Sequence, residues 1–283
     1  SSGDKVSLRD FIIRRMAETW KVLERENKEM RISGGYELGD DKWSAEVARV
    51  MIVDVQGRHG EHYWAVLRAF AADGSSRLLG AWRLNSFNEI EKLRTEKNVK
   101  KDHVCIDARY RRQAVIQACA RYQWSWLMAD EGANRKYDHE RIDPKTGARY
   151  FIQKSYSKRQ FAETSLDGRR MRAVGFHYSK QWAREVLHNR KMGLGTEWGL
   201  PVDVDKLQFE GTNTRQTSYL QQVNSWMPIQ KKNERTGALQ EEWKQSHADD
   251  HIQACEEGAL VRAAMLGLVP AEFNEPVNNP ASE

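Results

Sequence analysis

Cysteine is scarce in this chain. Among 283 residues there are three, Cys105, Cys119 and Cys255, each inside an apolar or helical stretch and without paired spacing. Disulfide frameworks and zinc ribbons are built from paired cysteines, so neither is expected, and the usage fits a reduced, cytoplasmic protein. Long hydrophobic runs are also missing. No stretch approaches the ~20 apolar residues that span a bilayer, and the first residues lack the apolar core of a secretory signal, so no membrane partner is expected. The chain carries no Gly-x-x-x-x-Gly-Lys-Ser/Thr phosphate loop, and Gly193 and Gly195 lack the preceding strand and third glycine of a nucleotide loop. No Ser-His-Asp or Cys-His order suggests nucleophilic catalysis. His251 and Cys255, four apart, are too few ligands for zinc. Internal repeats and low-complexity tracts are absent.

What is present suffices for a sizeable core: 40% of residues are hydrophobic. The formal charge of +5 and a pI near 9.0 favour polyanionic partners. Ser1-Ser2-Gly3 reads as a tag scar on an excised piece of a longer protein. Residues 1–46 form a helical lead-in, with Leu8, Phe11, Ile12, Met16, Trp20 and Leu23 at helical spacing and Ser7 and Asp10 able to form a capping box. Strands over 47–56, 62–70 and 77–82 follow, and the short turns between them imply an antiparallel meander. Ser86 and Glu89 open a helix to about 97, then come a strand over 103–107, a helix over 111–122 and a strand over 124–128. The expected fold class is therefore α/β, a mixed sheet with flanking helices, in a domain over 47–268. A basic insertion over 134–172 reads as a loop or extended ribbon. A strand over 173–177, a helix over 179–190, a hairpin over 225–244 and a helix over about 249–266 complete the domain, and 269–283 is a tail.

Two apolar runs end on a carboxylate: Val50-Met51-Ile52-Val53-Asp54-Val55 and Val104-Cys105-Ile106-Asp107. An ionised Asp at the mouth of a buried strand is costly unless a cation compensates it. Hard divalent ions are held by a few carboxylates, water and substrate phosphate, so two such residues on neighbouring strands would suit phosphoryl transfer. The alternatives are a turn-forming or Arg-paired Asp54 and an Asp107 that caps the following helix. The segment from His247 to Glu257 adds Asp249, Asp250 and Glu256 at the start of a helix, where the dipole favours carboxylates even without metal. Asp250 is the first choice of third ligand.

Val53-Asp54-Val55-Gln56-Gly57, Cys105-Ile106-Asp107-Ala108, and Asp250-His251 followed by Cys255-Glu256, in this order and with a hairpin before the last helix, resemble the nuclease domain of tailed-phage large terminase subunits. The resemblance covers roughly 47–268. It implies a ribonuclease H-like fold and an endonuclease that cuts concatemeric double-stranded DNA with two Mg²⁺ or Mn²⁺ ions. Asp54 and Asp107 would take the first two metal-binding positions, and Asp250 would begin the motif supplying the third. It also implies partners, namely an ATPase motor domain, a small terminase subunit and a portal, and a place in the host cytoplasm. Such sequences often carry Asp directly before the Cys-Glu pair, where this chain has Ala254. Asp249, Asp250 or Glu256 would then be the third ligand, or the site is weakened. Without a phosphate loop, the motor half is not in this chain.

The basic, aromatic-dotted stretch offers phosphate contacts at Lys154, Lys158, Arg159, Arg169 and Arg170, and the late hairpin offers Lys231, Lys232 and Arg235. A solvated loop without a partner is the alternative. Trp20, Trp82, Trp126 and Trp182 occupy apolar-periodic positions and read as core rather than as a base-stacking platform. The competing functional readings are a non-cleaving nucleic-acid-binding or assembly module with the same core, and another ribonuclease H-like enzyme such as a transposase, integrase or resolvase.

Overall fold

A computed structural model describes residues 35–57, 62–131, 135–211, 215–232 and 239–273. Most of the expected lead-in, including its helix, the hairpin loop with Arg235, and the residues after 273 lie outside the described residues. Strand β1 (Glu46–Gln56) pairs antiparallel with β2 (His62–Ala71), and β2 with β3 (Ser76–Leu84), giving the expected meander. Helix α1 (Phe87–Glu96) starts where Ser86 Oγ accepts the Glu89 N–H. Next come β4 (Val104–Asp107), helix α2 (Arg112–Tyr122) and β5 (Ser125–Asp130), with β4 parallel to β1 and β5 parallel to β4.

The basic insertion is ribbon rather than loop. Strands β6 (Tyr137–Ile142) and β7 (Arg149–Lys154) form one hairpin, while β8 (Gln160–Leu166) pairs antiparallel with β9 (Arg169–Ser179). Strand β9 is longer than the sequence suggests and lies parallel to β5. Helix α3 (Lys180–Lys191) follows, capped by Ser179. Then come β10 (Trp198–Gly199), β11 (Gln208–Glu210), β12 (Gln216–Ser218), α4 (Tyr219–Val223), β13 (Trp226–Lys232), β14 (Leu239–Gln245) and α5 (His251–Met265). The short elements from β10 to α4 carry too few residues to show a period. The result is an α/β fold whose mixed eight-stranded sheet has the order β10-β3-β2-β1-β4-β5-β9-β8.

Both faces of the sheet are covered, which is why β1 and β4 read as unbroken apolar runs. One core joins Val53, Ile106 and Trp126 to α1 and α2 through Ile90, Leu93, Val115 and Cys119. The other joins Ile52, Cys105 and Leu127 to α3, α4 and α5 through Leu187, Val223, Ile252, Cys255 and Ala259. As expected, Trp126 and Trp182 are core residues, and Trp82 packs against the first cluster.

Close approach of α5 to the sheet depends on Gly258, where an added Cβ would lie 2.8 Å from Ile52 Cγ2. Gly175 does the same for β9, since a Cβ there would meet the Trp126 ring on β5. Deeper along α5, Glu256 is fully buried and ion-pairs with Arg68 of β2. Its Oε1 accepts the Tyr219 hydroxyl at 2.6 Å and its Oε2 the Trp198 indole N–H at 3.2 Å.

Candidate functional site

Parallel pairing of β1 and β4 sets Val53 opposite Ile106. One residue further, Asp54 and Asp107 stand side by side where the strands end. They share a pleat face with Ile52 and Cys105, the face covered by α5. The sheet therefore brings together the two aspartates singled out in the sequence.

Asp54 is 3% exposed. Its Oδ2 accepts the Gln56 side-chain N–H at 2.8 Å and lies 2.9 Å from His251 Nδ1, the first residue of α5. Burial alone pushes the Asp54 carboxyl up; the hydrogen bond and charge of His251, with Gln56 and Arg109, outweigh it and hold the group below the usual carboxylate range. His251 is raised in turn, as its carboxylate neighbours overcome burial. The imidazole stacks on Trp64 with ring centroids 5.1 Å apart, and its Nε2 lies 3.7 Å from Asp249 Oδ1. His251 thus stands between two carboxylates.

Asp107 has a different environment. Burial, and the neighbouring charge of Asp54, push its carboxyl up to about 6 against the opposing pull of Arg109. Arg109 donates to it twice, from its backbone N–H and from Nε, both at 3.1 Å, while Nη1 reaches Glu131 at 2.8 Å. Asp107 does not cap α2, whose N-cap is Arg111. Two adjacent carboxyls with separated affinities for a proton are a chemically poised pair.

The remaining acids of α5 are dispersed. Asp250 occupies the N-cap without a side-chain capping bond, and its Oδ2 accepts the Trp226 indole N–H at 2.8 Å. Glu256 is committed to Arg68, Tyr219 and Trp198. Glu257 is buried too, held by Arg184 and Gln253, each at 3.2 Å. Ala254 is half-buried on the face that carries Asp250 and Glu257. Asp54 and Asp107 have the hard oxygens and adjacency to hold a divalent ion, in place of the cations that now neutralise them. Among the described residues no cluster of three or more His, Cys, Asp or Glu side chains is arranged around one ion position.

Neither Arg109 nor Trp64 is foreseen from the sequence as part of this neighbourhood, and His251 is foreseen there only as part of the motif that begins with Asp250. An Arg two residues after a strand-end Asp is a visible signal for Arg109. The stacking of Trp64 depends on strand register and has no local signature.

Among the described residues, the predicted basic contacts Lys158, Arg159, Arg169 and Arg170 lie toward the opposite end of the sheet from the aspartates. Lys158 and Arg159 are exposed on the segment entering β8, and Arg169 and Arg170 open β9, five and four residues before Val174, which sits opposite the first residue of β5. Lys154 is largely buried, 3.4 Å from the Tyr156 hydroxyl and 3.9 Å from Glu272. Lys231 pairs with Glu242 at 3.2 Å, and Lys232 ends β13. All three cysteines are free and buried, and burial pushes the Cys105 thiol up to about 11. Among the described residues no helix is long and apolar enough to cross a membrane. Comparison with family models, curated proteins and solved structures returns no match for this chain.

Proposed function

We propose that this chain is a ribonuclease H-like, divalent-metal-dependent DNA endonuclease, acting as the nuclease domain of a phage DNA-packaging terminase large subunit. One observation carries the reading: an antiparallel meander continued by parallel strands β4 and β5, with Asp54 and Asp107 side by side on the ends of β1 and β4. The sequence motifs around them, in the same order along the chain, support it. Asp54 and Asp107 would hold Mg²⁺ or Mn²⁺, with an acid from 249–256, Asp250 first, completing a two-ion site. When bound, such ions supply an activated water and charge stabilisation at the leaving oxygen. The chain's own residues would position them: Gln56 and His251 fix the Asp54 carboxylate, and Arg109 neutralises Asp107 until an ion replaces it. In the intact system the partners would be double-stranded DNA, an ATPase motor domain, a small terminase subunit and a portal, in the host cytoplasm. Backbone contacts carry no base information, so little sequence preference is expected from cleavage itself.

The test is nicking and linearisation of supercoiled plasmid with Mn²⁺, repeated with EDTA. Cleavage that stops in EDTA and in both Asp54→Ala and Asp107→Ala supports the reading; cleavage retained in both variants removes it.

A second reading, a nucleic-acid-binding module that no longer cuts, is favoured by the basic side chains already seated on both carboxylates, His251 and Arg109, and by Ala254. Plasmid bound but never cut, with either metal, would select it. Cleavage confined to branched DNA would instead select a resolvase-type enzyme.

A further inference from the structure

At the end of the sheet where β4 and β5 begin, opposite the ends bearing Asp54 and Asp107, a cleft of about 290 Å³ opens between Asp102, the end of α2, the first residue of β5 and Arg159, Arg172, Val174, Phe176 and Arg262. Three arginines thus face one small space. Arg262, from the last turn of α5, is 8% exposed, and its Nε is buried without a hydrogen-bond partner. Its Nη2 lies 3.6 Å from Asp102 Oδ2, too long for a good hydrogen bond. Arg172 meets Glu163 only at an exposed 3.4 Å contact. With only a long contact to Asp102, the Arg262 guanidinium lining the cleft has donor capacity that an anion seated there could use.

The cleft does not end there. Arg159 and Phe176 also line an adjoining open groove of about 520 Å³, with Arg141, Lys154 and Lys158 on its walls. His139, on the same walls, has its proton affinity lowered mainly by burial, against its hydrogen bond to the Tyr156 carbonyl, and further by Lys154, Lys158 and Arg141. Glu272, 3.9 Å from Lys154, is the acid that meets these cations.

We propose that the Arg159–Arg172–Arg262 cleft is a phosphate-binding pocket, and that with the adjoining groove it forms a track for the backbone of a nucleic acid, separate from the carboxylate pair. Guanidinium forks match phosphate oxygens, and cations spread along two joined clefts match a polyanion better than a single small anion. This deepens the nucleic-acid reading above but does not require that the chain cut anything.

The experiment is fluorescence anisotropy of the whole chain with labelled 30-nucleotide single-stranded and duplex DNA, in EDTA, across a salt series. Inorganic phosphate is titrated in parallel by calorimetry. Arg159 and Arg172 are exposed, so Arg159→Ala/Arg172→Ala should fold, checked by an unchanged melting temperature. Expected are binding of the oligonucleotide and much weaker binding of inorganic phosphate. In the double variant, affinity should fall roughly tenfold or more, and the log–log salt slope should shrink by about 1.5. Arg262→Gln should weaken binding further in that background. Unchanged affinity and slope in the double variant overturn the pocket. Phosphate bound with no oligonucleotide binding overturns the nucleic-acid track. Binding lost in these variants with plasmid cleavage never observed leaves this inference standing while the nuclease reading falls; cleavage with binding indifferent to these arginines does the reverse.

Discussion

His251 Nδ1 meets Asp54 Oδ2 at 2.9 Å, joining residues 197 positions apart. The first residue of the last helix thereby clamps the end of the first strand. Each carboxyl of the central pair has its own basic partner, His251 for Asp54 and Arg109 for Asp107, and each partner occupies oxygens that an ion would need.

Arg109→Ala should therefore tighten Mn²⁺ binding, since the metal no longer competes with a guanidinium. Losing one charge-assisted contact of ~1.5 kcal/mol corresponds to roughly tenfold in affinity. Calorimetric titration of Mn²⁺ into both proteins reads this directly. Weaker binding in the variant would assign Arg109 a supporting role instead.

Glu256→Gln should destabilise the fold by about 3–5 kcal/mol, because it leaves Arg68 charged and fully buried without its counter-ion. Urea unfolding followed by tryptophan fluorescence measures it. A change below 1 kcal/mol would mean that Tyr219 and Trp198 alone maintain this interior network.

Gly175→Ala should cost roughly 1–3 kcal/mol through overpacking, as its Cβ would fall on the Trp126 ring. Trp126→Leu in the same chain should recover part of that loss. Failure of the second substitution to help would place the strain in the β9 backbone rather than in the ring contact.

Lys191 is 3% exposed and donates to Val223 O at 2.7 Å and Asn224 Oδ1 at 3.1 Å. Burial brings its pKa from 10.5 down to about 8. Between about pH 8 and 10.5 the unfolded chain holds a proton that the folded chain has released, so stability rises with pH in that window. Relative to Lys191→Met, the wild type should gain up to about 3 kcal/mol across it. Denaturant midpoints at half-unit pH steps give the curve; parallel curves for the two proteins would refute the assignment.

Much of the fold could be read from residue order. The apolar runs around Val53 and Ile106 announced buried strands, Ser86 and Ser179 marked helix starts, and the short turns made the meander visible. Asp54 and Asp107 were recognisable because a charge at the end of such a run needs a compensator. The identities of the compensators were not, since His251 reaches Asp54 through tertiary packing and Glu256 finds Arg68 only once α5 lies on β2. The basic insertion reads as loop or ribbon from sequence, and its exposed, charged faces, which weaken the two-residue period, keep the choice between them open. Arg262 was hidden because a basic residue near a helix C-terminus ordinarily reads as a dipole partner in solvent.

The reach from His251 back to Asp54 has a consequence for biosynthesis. A ribosome delivers β1, β2 and β3 before α5, so the cover over the acidic strand ends emerges after the strands it covers. Until α5 leaves the exit tunnel, those aspartates face water with no imidazole beside them. A chain cut short before α5 would therefore hold the paired acids without the His251 that covers Asp54.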